Sequence, residues 1–148
     1  MLIQCICAFL STVGYCFIFN IPRRHLIPAS FVGAAGWALY QYLTAQGESK
    51  IAACFAAACL VTALAELFSR ICKDAAILFS IPGILPIVPG AGMYNTMRAF
   101  LARDLEQTAA VGYETILMAA SIAVGLLVVS SLLRIVTAVA SLVPTRTE

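Results

Sequence analysis

Charged residues are scarce in this sequence. Nine basic and seven acidic side chains among 148 residues make up 11%, where a soluble domain carries about a quarter. That shortage excludes an ordinary water-facing surface, and a net charge of +2 is too small to point to a nucleic-acid partner. Histidine occurs once, and the six cysteines form no Cys-x-x-Cys pair. Metal and redox sites need clustered ligands at set spacings, so no metal and no cofactor is expected. Cys5, Cys7, Cys16, Cys54, Cys59 and Cys72 sit in or beside apolar runs and read as small helix fillers. The apolar runs hold no Ser/His pair and no acidic cluster, which argues against an intramembrane enzyme. The first twenty residues lack a basic n-region and a small-x-small cleavage site, so they are expected to stay as a membrane span.

What the chain has in abundance is apolar surface. It is 62% hydrophobic, with a mean hydropathy of +0.98. A helix needs about 20 apolar residues to cross a bilayer. The runs 2–21, 26–44, 51–70, 75–93 and 115–133 supply five, and the tail 135–143 continues the last. The reading is an all-α integral membrane protein, a single membrane domain over 1–148 with five transmembrane helices. Trp37, Tyr40 and Tyr42 form an aromatic belt at the end of the second span. In the alanine-rich third, Ala53 and Ala57 are spaced for close helix approach. Residues 94–112 read as an amphipathic segment on the outer surface.

Lysine and arginine set the orientation. With five spans, one side receives Arg23, Arg24, Arg70, Lys73, Arg134 and Arg146, and the other receives Lys50, Arg98 and Arg103. This excess places the N-terminus outside and the C-terminus in the cytoplasm. A re-entrant fourth run would send the tail outward instead.

The fourth run reads "IPGILPIVPGAGMYNTM". Proline removes a donor and frees the carbonyl four residues back, here those of Leu78, Pro82 and Leu85. Such backbone survives in a membrane only where protein or a watery cavity covers it. Pro82, Pro86 and Pro89 fall at i, i+4 and i+7, on one face. At "PGAGMYNTM" a helix restarts, with proline suited to its first turn. The amides of Gly90, Ala91 and Gly92 are then free to meet an anion, helped by roughly half a positive charge. Many secondary transporters hold small charged substrates at broken helices of this kind. A kink fitted against neighbouring helices is the plainer alternative.

Asn95 and Arg98 follow on one face of the restarted helix and offer an amide and a cation, although Arg98 also suits a snorkelling role. Tyr94 and Thr96 are weaker candidates. Glu66, the one acid inside a span, is either a proton-coupling group or the partner of Arg70 one turn on. His25 reads as a cytoplasmic-surface residue.

The proline-rich stretch resembles the signature of the threonine/serine exporter family, in particular its small YjjB-like subunits. "FNIPRRHL", "GAAGWALY" and "AELFSRICK" agree in order, so the likeness runs over essentially the whole chain. Its signature falls on Pro82, Gly83, Pro86, Pro89, Gly90, Tyr94 and Thr96. The resemblance implies a bacterial inner-membrane exporter of threonine and serine or, in split relatives, of succinate. There a larger YjjP-like protein supplies the other half of an inverted-repeat transporter. A YjjP-like partner, self-association and membrane lipid are the contacts to expect. A non-transporting scaffold or assembly subunit and a passive homo-oligomeric channel remain alternatives.

Overall fold

Six helices form over the residues that the computed structural model describes, 2–142, and no strand occurs among them. They are α1 (Leu2–Ile18), α2 (Leu26–Ala45), α3 (Lys50–Cys72), α4 (Ile77–Ile84), α5 (Gly90–Leu101) and α6 (Leu105–Leu142). Arg146, counted in the charge balance, lies outside the described residues. Two segments, α3 and residues 105–137 of α6, are long and apolar enough to cross a membrane, and α1 is a shorter apolar helix.

The helix ends follow local chemistry. Ser49 caps α3 by accepting from the Ala52 amide at 3.2 Å, and Lys73 ends it in the left-handed region at φ 56°. At Arg103 the chain turns with φ 60°. Asp104 then opens α6, its Oδ1 accepting from the Gln107 amide at 3.0 Å. Residues 94–112, expected as one amphipathic extension, are therefore two arms of a hairpin, since the Asp104 cap stops one helix and starts the next.

Side-chain contacts set the direction of each pass. Tyr40 packs beside the Cys54 cluster and Ala29 beside Ala65, so α2 and α3 are antiparallel. Lys50 meets Glu114, Cys59 Sγ lies 3.9 Å from the Gly125 carbonyl, and Arg70 meets Thr137. Rising together in this way, α3 and α6 are parallel. The chain from Cys72 to Leu105 must then return from the Arg70 end to the Lys50 end. It passes between the same two ends five times.

Small residues let these helices close on one another. Ala53, Ala57, Ala58 and Val61 of α3 are fully buried. A methyl added at Gly36 of α2 would lie 2.4 Å from a Val61 methyl, so only glycine permits that approach. Val32, Cys54, Ile87 and Ile122 join Ala57, Ala58 and Val61 in one cluster, while Cys16, Ile21, Ala29, Ala65 and Phe79 form a second toward the other end.

His25, expected at the surface, is only 2% exposed. Its Nε2 lies 2.9 Å from Asp74 Oδ2, and its ring meets Phe79 edge-on at 5.3 Å. Arg24 reaches the same carboxylate at 2.7 Å. The link between α1 and α2 is thereby pinned to the link between α3 and α4. The flanking arginines in sequence disguised an interior residue.

Candidate functional site

The fourth apolar run breaks where its prolines fall. α4 contains Pro82 and stops at Ile84. A tight link follows, in which the Ile87 amide donates to the Ile84 carbonyl at 2.9 Å and the Val88 amide to the Leu85 carbonyl at 3.3 Å. Ile87 holds the link in place from below, 3% exposed in the cluster with Val32 and Val61. Pro89 precedes the restarted helix, and the Met93 amide donates to its carbonyl at 3.1 Å.

This link forms one wall of a cleft of about 830 Å³. α1 contributes Gln4, Ser11 and Tyr15, and α2 contributes Trp37 and Tyr40. Pro86 through Gly92 and Asn95 line the broken side, while Lys50, Glu114 and Thr115 close the cleft from α3 and α6. Lys50 Nζ and Glu114 Oε1 are 3.0 Å apart and about half exposed. The cleft therefore carries a cation, an anion, two carboxamides and hydroxyls among apolar side chains, together with a helix start.

The three amides at that start are not equivalent. The Gly90 amide, expected to be free, donates to the Val88 carbonyl at 2.7 Å, because the link curls into a three-residue turn. The Ala91 and Gly92 amides have no backbone acceptor among the described residues, as befits a first helical turn. The Leu85 carbonyl, expected to be released, is taken by the Val88 amide. Added methyls separate the glycines: at Gly90 one would meet nothing within 4 Å, whereas at Gly92 it would lie 2.4 Å from Thr115 Oγ1. Gly92 is a packing contact between α5 and α6 as well as part of the wall.

Of the candidates named from sequence, the structure gathers Pro86, Pro89, Gly90, Ala91, Gly92 and Asn95 in the cleft. Pro82 and Gly83 are buried in α4, where a methyl on Gly83 would lie 2.8 Å from Val32; they shape the break from behind. Thr96 bonds the Gly92 carbonyl at 2.8 Å and packs toward Gly112. Tyr94 and Arg98 are exposed on the hairpin and do not line the cleft. Glu66 lies in a separate groove with Arg70 and Arg134, and Arg70 donates to Thr137 at 2.6 Å. Lys50 and Glu114 were missed as site residues because each stands at the edge of an apolar run, where charges are routine; no signal in the chain pairs them. Among the described residues, no three His, Cys, Asp or Glu side chains gather as metal ligands.

A family model described as Threonine/Serine exporter, ThrE matches residues 4–132. That range holds every residue of the cleft. No solved structure matches the chain.

Proposed function

Since the chain belongs to the threonine/serine exporter family, we propose that it is a membrane subunit exporting a small amino acid through the cleft beside its broken helix. The observation that carries this reading is the opposition of charges there: Lys50 and Glu114 at 3.0 Å, beside the opening turn of α5. In the free protein the pair satisfies itself. An entering amino acid replaces both halves, its carboxylate going to Lys50 and the Ala91 and Gly92 amides, its ammonium to Glu114. Asn95 and Tyr40 are at hand for a side-chain hydroxyl. The exchange keeps every charge answered, so the barrier to entry stays low.

A succinate-type dicarboxylate fits less well. Its first carboxylate finds the same cation, but the second faces Glu114 with like charge. The same pair thus favours threonine or serine.

Five membrane spans accord with the five passes of the chain, and the parallel run of α3 and α6 favours a fourth segment that crosses over one that turns back. We place the protein in a bacterial inner membrane, with the cleft and the amino-terminal end outside and the Arg24, Lys73 and Arg134 end in the cytoplasm. A larger YjjP-like subunit or a second copy would complete the path. Met93, Tyr94, Met97, Phe100 and Leu101 leave one side of the hairpin apolar and at least 58% exposed, which suits such a contact.

The test is efflux from proteoliposomes holding this chain with its larger partner, loaded with threonine, serine or succinate. Losing a charge-assisted hydrogen bond costs about 1.5–3 kcal/mol. Glu114→Gln should therefore weaken threonine export about ten- to hundredfold while leaving succinate no worse. Wild-type affinity for threonine in that variant would overturn the site. Failure of the wild-type pair to move any of the three would overturn the exporter reading itself.

A further inference from the structure

A second opening, of about 670 Å³, lies between α3, the start of α4 and α6, at the end remote from the cleft. We propose that it is a binding site for the headgroup of an aminophospholipid, with the phosphate on Arg70 and Arg134 and the primary ammonium on Glu66.

The charges that line it are two guanidiniums and one carboxylate, with Ser69 and Thr137 supplying hydroxyls. Glu66 and Arg70 stand one turn apart on α3 and so share a face. Arg70 does not close on Glu66; its Nη2 donates to Thr137 Oγ1 at 2.6 Å, and that hydroxyl donates on to the Leu133 carbonyl. The guanidinium is thus drawn across the groove toward α6, where Arg134 stands one turn before Thr137. A guanidinium has five donors in a planar fork that matches phosphate oxygens, and Arg70 spends one of them on Thr137. Two such forks at one opening suit a phosphodiester.

The rim says where that phosphodiester comes from. Ile71, Ile77, Leu132, Ile135 and Val136 each stand next in sequence to a residue lining the opening and are 56–65% exposed. A free phosphate would leave this apolar rim uncovered, whereas the acyl chains of a lipid lie along it. A polar floor with cations and an apolar rim is the arrangement of a headgroup site at a membrane face. Glu66 selects among lipids. With a phosphate alone Glu66 must share the two guanidiniums with it, whereas an amine gives that carboxylate a partner of its own and leaves both guanidiniums to the phosphate.

The experiment is thermal unfolding of the purified full chain in a neutral detergent. It is titrated with dioleoyl phosphatidylethanolamine, dioleoyl phosphatidylglycerol, dioleoyl phosphatidylcholine or inorganic phosphate. Phosphatidylethanolamine should raise the unfolding temperature saturably, with an apparent affinity at least fivefold better than phosphatidylglycerol. Arg134→Gln should weaken that affinity about tenfold. Glu66→Gln, which keeps the shape, should keep lipid binding and erase the preference for ethanolamine over glycerol. Equal affinities for the two lipids in the wild type would overturn the amine assignment, and an equal response to inorganic phosphate would overturn the lipid. Undiminished affinity in Arg134→Gln would place any lipid elsewhere and sink the site.

Discussion

Gly90 and Gly92 look alike in sequence and do different things. An added side chain at Gly90 enters open space over the cleft, while at Gly92 it strikes the Thr115 hydroxyl. Overpacking of this kind costs about 1–3 kcal/mol. Gly92→Ala should lower the unfolding temperature of the purified protein, and adding Thr115→Ala should restore much of the loss. Gly90→Val should unfold like the wild type yet weaken export about tenfold, because its branched side chain stands before the Ala91 and Gly92 amides. Wild-type export affinity in Gly90→Val would show that the helix start holds no substrate. The two glycines are thus separable, the one by stability and the other by transport. Thr115 was not a candidate from sequence, since a hydroxyl inside an apolar helix usually bonds its own backbone, as this one also does to Val111 at 2.7 Å.

At the scale of elements, the break after α4 was legible and the turn before α6 was not. Three prolines within eight residues cannot continue a helix, and the restart at Gly90 follows from proline at its head. The second turn has a quieter signal, Asp104 followed by Gln107, overlooked because its surroundings mix polar and apolar residues evenly. Asp104 accepts from the Gln107 amide, and its carbonyl accepts from the Thr108 hydroxyl. Asp104→Ala should cost about 1 kcal/mol of stability and Asp104→Asn much less, since asparagine caps almost as well. Chemical denaturation of the detergent-solubilised protein measures both. Equal losses in the two variants would mean that charge rather than capping holds the hairpin.

For the whole molecule, the parallel course of α3 and α6 makes a topological demand. Single cysteines at 48, 73 and 103, introduced after replacing the six native ones, report on it by labelling from outside in intact cells. Positions 48 and 103 should label and 73 should not. Labelling at 48 alone would mean that the fourth segment turns back, and the five-span arrangement would fail.

Composition alone determined that this chain belongs in a bilayer, because 11% charge cannot clothe a water-facing surface. Proline and glycine determined where its fourth run breaks, because the rules they impose on backbone are local. The threonine/serine exporter resemblance was also legible along the chain. Which side chains share the site was decided by tertiary structure. Lys50 and Glu114 are separated by two helices in sequence, and only the parallel packing of α3 against α6 brings them to 3.0 Å. The same packing sent Glu66 to a groove away from the cleft, while contacts with Asp74 and Phe79 hold His25 in the interior. Periodicity tells which face of a helix is apolar; it does not tell which neighbour that face meets, and a site built from several helices depends on the neighbour.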